Sequence, residues 1–188
     1  MEQPLAGKTV AVLVANGFEE LDMTEPQRAL LAAGATPKVV SPEQGLVNGW
    51  HGKGWGHYFP VDINLSSALA ADFDALLVPG GQRGMEKLLN SPHTTRFVRG
   101  FMDGGKPIAA LNHGSLVLVA AERIAGRTIA MPTELQPGLQ DAGAVAGEDA
   151  IVVDGNLLTS RDEVDMHELK AAVARHFTEV TSTLADAA

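Results

Sequence analysis

The chain has no cysteine among its 188 residues. That absence removes disulfides, thiolate metal sites and any thiol nucleophile at once. Basic residues are also scarce: 14 Lys and Arg stand against 23 Asp and Glu, a formal net charge of −9. Nucleic-acid binding rests on a basic face, and an anionic membrane attracts a basic cluster or amphipathic stretch. Neither feature occurs, so no nucleic-acid and no membrane partner is expected. Long apolar runs are missing as well, because the run from Val10 to Ala15 follows no basic segment and is too short for a signal peptide or a membrane span. The expected location is the cytoplasm, with the acidic balance serving solubility. Internal repeats and low-complexity blocks are absent.

What remains is an ordinary globular composition, 45% hydrophobic and 20% charged. Residues 1–180 are read as a single domain able to bury a core without metals or disulfides, and 181–188 as a frayed tail. The run "KTVAVLVA" at 8–15 suits a strand buried on both faces. From Asp22, Met23, Pro26, Leu30 and Leu31 fall near helical spacing and stop at Gly34, and "TPKVVS" gives a second strand. Residues 42–62 hold five glycines and read as an excursion with a hairpin turn at Asn48-Gly49. Strands then alternate with helices: "FDALLVPGG", helical segments restarting at Pro92, "KPIAAL", the helix "SLVLVAAERIA", "RTIAM" and a short helix near Pro137. A hairpin at Asp154-Gly155-Asn156 and a helix with apolar residues at 164, 166, 169, 173 and 177 complete the chain. This alternation predicts a parallel sheet covered on both faces, with ligands beyond the carboxyl ends of its strands.

Three loops there carry candidate chemistry. Glu19, Glu20 and Asp22 cluster at a strand-to-helix junction, where a helix dipole alone justifies carboxylates. A carboxylate turned inward and desolvated would instead serve as acid or base, and Asp22, between Leu21 and Met23, is the better candidate. "PGGQRG" at 79–84 lacks dinucleotide and P-loop spacing; Gly80 and Gly81 suit close backbone approach or an oxyanion pocket. The six histidines show no metal-ligand spacing, so no metal and no cofactor is called for. His113 stands out by position, next to Asn112 at the bend between "PIAAL" and "SLVLV".

The segments "VLVANGFEELD", "FDALLVPGG", "GKPIAALNHG" and "VVDGNLLTSR", in this order, resemble the ThiJ/PfpI superfamily of class I glutamine amidotransferase-like proteins over about residues 8 to 178. That group includes intracellular protease/amidase-like stress proteins and the parkinsonism-associated deglycase-like protein. The resemblance implies a flavodoxin-like three-layer α/β sandwich with a mostly parallel central sheet, forming a homodimer or higher homo-oligomer. It also implies a cysteine on a strand-to-helix elbow, at the position that Asn112 occupies here, followed by a histidine that His113 matches. Gly81 and Ser115 fall where the family's backbone amides line the pocket. Asp22 matches the acid that hydrogen-bonds the cysteine, and Glu19 the second acidic position. "LDMTEP" also resembles the isocyanide hydratase branch. In the PfpI branch a glutamate from a neighbouring subunit pairs the histidine; the count lands on Met85, with Glu86 one residue off.

An elbow residue usually adopts left-handed backbone, which asparagine tolerates better than nearly all non-glycine residues. Its amide gives no thiolate and no covalent intermediate, yet offers two donors and an acceptor to a small polar ligand. Two functions follow. One is a stress-associated, ligand-binding, non-catalytic member that keeps the pocket. The other is a cofactor-free hydrolase or hydratase, of amidase, glyoxalase/deglycase or isonitrile hydratase type, in which Asp22 or Glu19 activates water and Asn112 polarises a small substrate. Replacement of the cysteine of an active enzyme by asparagine would give the same sequence.

Overall fold

The computed structural model describes residues 2–162 and 164–188. The first apolar run forms β1 (Thr9–Leu13), followed by the short β2 (Phe18–Glu19) and by α1 (Glu20–Ala32). Helix α1 ends in a Schellman arrangement: Gly34, at φ +93°, donates to the Leu31 carbonyl and Ala35 donates to that of Leu30, each at 3.0 Å. β3 (Thr36–Ser41) then returns parallel to β1. The glycine-rich excursion forms a hairpin of β4 (Leu46–His51) and β5 (Gly54–Pro60), which joins β2 in a separate three-stranded sheet. Its turn is not at Asn48-Gly49 but at Gly52-Lys53, since His51 pairs with Gly54. Gly52 takes φ +63°, whereas Gly49 lies inside β4 and is required for clearance: a Cβ there would sit 3.1 Å from Glu20 Cβ.

Next come β6 (Ile63–Asn64), β7 (Ala75–Val78), α2 (Gln82–Leu89), α3 (Pro92–Asp103) and β8 (Ile108–Leu111). Pro92 opens α3, where its missing N–H costs nothing. A 3-10 turn over Asn112–Ser115 leads into α4 (Leu116–Ala120). The helix expected to run to Ala125 stops early because Glu122 takes φ 55° and Arg123 donates back to the Leu118 carbonyl, a helix stop made without glycine. The chain continues through β9 (Thr128–Ile129), α5 (Gln136–Asp141), β10 (Val145–Ala146), the hairpin β11 (Ile151–Asp154) and β12 (Leu157–Ser160), and α6 (Met166–Ala187). "RTIAM" yields only β9, paired with β10 outside the main sheet. Past Glu179 the chain does not fray: α6 continues, Thr181 is buried and its hydroxyl donates to the Phe177 carbonyl at 2.7 Å.

The main sheet has the order β11-β12-β8-β7-β1-β3-β6 and is parallel except at β11. Alternate residues of each central strand enter opposite cores, as the pleat requires. Ala11, Leu13, Leu76, Val78, Ile108 and Ala110 pack with Phe97, Phe101 and Val117 on the α3–α4 face. Val10, Val12, Leu77, Ala109 and Leu111 pack with Met23, Leu30, Val173 and Phe177 on the α1–α6 face. The result is a flavodoxin-like α/β sandwich whose central strands are buried on both sides.

Gly114 sets how closely the turn after β8 approaches β7. A Cβ on it would lie 2.5 Å from the Val78 carbonyl oxygen and 3.3 Å from Val78 Cγ1. Gly114→Ala is expected to lose about 1–3 kcal/mol in urea unfolding. Gly138→Ala, in α5 where nothing lies within 4 Å of the added carbon, should gain about 0.5 kcal/mol. Equal effects at both positions would contradict this packing.

Candidate functional site

Because β8, β7 and β1 are adjacent, the loops leaving their carboxyl ends meet. The turn after β8 presents Asn112 at φ 51°, the left-handed conformation expected of an elbow residue. The Ser115 hydroxyl donates to the Asn112 carbonyl at 3.2 Å and closes the turn. Asn112 Oδ1 is buried and has no hydrogen-bond partner among the described residues. An orphaned acceptor costs stability, and native proteins keep few of them outside functional sites.

Gly80 joins the other two loops. Its carbonyl accepts the Glu19 N–H at 2.8 Å, and its own N–H donates to Asp22 Oδ2 at 3.0 Å. A Cβ on Gly80 would lie 2.8 Å from Asp22 Oδ2 and 3.2 Å from Asn112 Cβ, so the bare glycine lets the acid and the elbow residue face each other. Gly81, at φ +105°, allows an equally close approach: its Cβ would lie 2.5 Å from Glu19 N. The double glycine thus serves backbone packing, and the Gly80 amide is committed to Asp22 rather than free for an oxyanion.

Burial pushes the Asp22 carboxyl up to about 6, with the Glu19 charge adding to it and the Gly80 hydrogen bond opposing. Glu19 is also raised, chiefly by burial, with the His51 charge opposing and the Glu20 charge adding a smaller push upward. Glu20 has a structural role. Its buried carboxylate accepts the His57 N–H at 3.0 Å and meets His57 Nδ1 at 2.5 Å, tying the β4–β5 hairpin to the start of α1. Burial alone would raise the Glu20 carboxyl, but the two His57 hydrogen bonds hold it below the usual carboxylate range.

Beside the elbow lies a pocket of about 220 Å³, with Met85, Leu89, Leu116 and Leu135 as apolar lining and Gln82, Glu86, His113 and Glu134 as polar lining. His113 Nε2 lies 2.5 Å from Glu134 Oε1. Glu134 was not legible as a site residue: it stands 21 positions beyond His113 on a 3-10 turn, Thr133–Leu135, with no motif around it. Glu86 does line the pocket, but among the described residues the carboxylate that closely approaches the ring is Glu134. Of the remaining sequence candidates, Asp22, Glu19, Gly80, Gly81 and Ser115 gather around the elbow rather than lining this pocket. Among the described residues no group of three or more His, Asp or Glu side chains is placed to hold a metal, and no helix is long and apolar enough to cross a membrane.

The sheet order and the left-handed residue after β8 define an α/β protein of the nucleophile-elbow kind. The chain belongs to the DJ-1/PfpI family, whose model matches residues 8–176. It is similar to General stress protein 18 of Bacillus subtilis, 33% identical over 162 residues that cover 85% of this chain and 92% of that one. Among solved structures it resembles a two-domain protein of Anabaena variabilis with DJ-1/ThiJ/PfpI-like and ferritin-like domains. The TM-score there is 0.82 at 31% identity, over 89% of this chain but 47% of that one. It also resembles Drosophila melanogaster DJ-1beta, with a TM-score of 0.79, 25% identity and 96% of each chain covered.

The raised Asp22 carboxyl makes stability depend on pH. Its folded value near 6 lies above its ordinary value of 3.8, so its contribution is complete below pH 4 and is lost as pH rises through 6. The loss amounts to at most about 3 kcal/mol. Asp22→Asn should flatten this fall between pH 4 and 7 in thermal or urea unfolding and leave the variant the more stable protein at pH 8. Parallel pH curves for the two proteins would contradict the assignment.

Proposed function

We propose that this chain is a stress-associated, ligand-binding member of its family that keeps the pocket and has no nucleophilic chemistry of its own. The observation that carries this reading is Asn112 itself: it holds φ 51° at the elbow and leaves its acceptor oxygen without a partner in the protein. Asparagine keeps the bend, while its amide forms neither a thiolate nor an acyl intermediate. The buried oxygen, with Asp22 across Gly80, suits an ordered water, and a small polar ligand would occupy the pocket that begins at the neighbouring His113. The modest pocket volume beside it fits the same size class.

One observation favours a second reading. An Asp22 carboxyl held near 6 sits where general acid–base catalysis works best, and that supports a cofactor-free hydrolase or hydratase acting on a small substrate. The two readings separate on a panel of methylglyoxal, a peptide and a simple amide. The first expects no turnover by the chain as it stands and a gain of about 100-fold or more over background for Asn112→Cys. Turnover by the unaltered chain that Asp22→Asn abolishes would overturn it in favour of the second.

A further inference from the structure

The β4–β5 hairpin contains a bulge. Trp50 pairs with Trp55 and Asn48 with Tyr58, so Gly49 on β4 faces two residues on β5, Gly56 and His57. Because cross-strand partners share a face, Trp55 and Tyr58, three apart in sequence, stand on the same side as Asn48 and Trp50. The other side is taken by Glu20: Gly49 and Gly56 leave room for its side chain, and its carboxylate accepts the bulged His57 N–H at 3.0 Å. Two large aromatics are thereby turned outward, Trp55 at 56% exposure and Tyr58 at 66%. Trp55 is braced there. It meets the Trp50 ring edge-on at 5.4 Å between centroids, and the Arg83 guanidinium covers Trp50 at 3.9 Å. Gly17 lets α2 come this close, since a Cβ there would collide with Arg83 Cβ.

Between this face and α2 lies a cleft of about 440 Å³ lined by Asn16, Asn48, Trp55, Tyr58 and Lys87, none of which lines the pocket beside the elbow. Its polar groups offer donors. Asn16 Oδ1 accepts the Asn48 N–H at 2.8 Å, which leaves the amide N–H groups of the Asn16 side chain for another partner. Lys87 Nζ donates to Glu43 Oε1 at 3.2 Å and keeps two further hydrogens. Glu43 is the opposing charge, and it also accepts the Asn16 backbone N–H at 3.3 Å. Arg83, one turn before Lys87 on α2, adds a second cation. Aromatic walls select a flat ring, and a rim of donors and cations selects an acceptor that carries negative charge. We propose that this cleft is a second binding site, and that it takes a small aromatic carboxylate, with the ring against Trp55 and Tyr58 and the carboxylate accepting from Lys87 and Asn16.

Trp50 and Trp55 are the chain's two tryptophans, so intrinsic tryptophan fluorescence reads the cleft directly. Titrating the full chain with benzoate should give a saturable change with a Kd of about 1 mM, the strength open to so small a ligand. Cyclohexanecarboxylate, charged but not flat, and benzyl alcohol, flat but neutral, should each bind at least about tenfold more weakly. Tyr58→Ala and Lys87→Gln should each weaken benzoate binding by about fivefold or more. Glu43→Gln, which removes the opposing carboxylate and frees the ammonium, should tighten it. Light scattering should give the unaltered chain and Tyr58→Ala the same mass. No saturable change with benzoate, equal binding of benzoate and benzyl alcohol, or weaker binding in Glu43→Gln would overturn the proposal. So would a lower mass for Tyr58→Ala, which would show that a second copy of the chain covers this face.

Discussion

The site depends on a backbone constraint at one residue, the left-handed turn that ends β8 at Asn112. An L-residue there pays about 1–2 kcal/mol unless its side chain suits the conformation, and asparagine is among the few that do. Once the chain bends, Gly114 drops against the Val78 carbonyl and brings the turn onto β7. Gly80, at the end of β7, is clamped from the other side by Glu19 and Asp22. Three strand ends are thereby locked around one point, and none of the contacts tolerates an added carbon without movement.

Shape and reactivity come apart at that point. The elbow geometry, the bare glycines and the inward acid are all present, whereas the position that would carry a nucleophile carries an amide. The acid loop keeps its electrostatic character regardless. Burial raises both Asp22 and Glu19, and the Glu19 charge adds to the rise at Asp22, while Glu20, between them in sequence, is drawn into a structural pair with His57. Three carboxylates within four residues thus play two roles, and burial and partner decide which.

The fold was largely legible because its central strands are short apolar runs of the kind that parallel sheets bury on both faces. The elbow was legible too, since an asparagine between a strand and an apolar helix suggested the positive φ that Asn112 adopts. What escaped was set by tertiary contact. Asn48-Gly49 has the composition of a hairpin turn, but Gly49 is there to clear Glu20, and the turn forms four residues later. The helix after the elbow stops at a left-handed Glu122, which no propensity favours, and Thr181 holds the last helix past its expected end. Glu134 carries no local signal, because it meets His113 only through the tertiary fold, from a 3-10 turn 21 residues further along the chain.

The central claim is that this elbow retains the form of a reactive site and lacks only the reactive atom. Its most direct test is the alkylation rate of the single thiol in Asn112→Cys by iodoacetamide at pH 6. A free thiol has a pKa near 8.5 and reacts slowly there, whereas an elbow thiol beside Asp22, whose carboxyl near 6 is about half protonated at this pH and able to donate, should react at least about tenfold faster than free cysteine. A rate no greater than that of free cysteine, with the variant folded, would contradict the account.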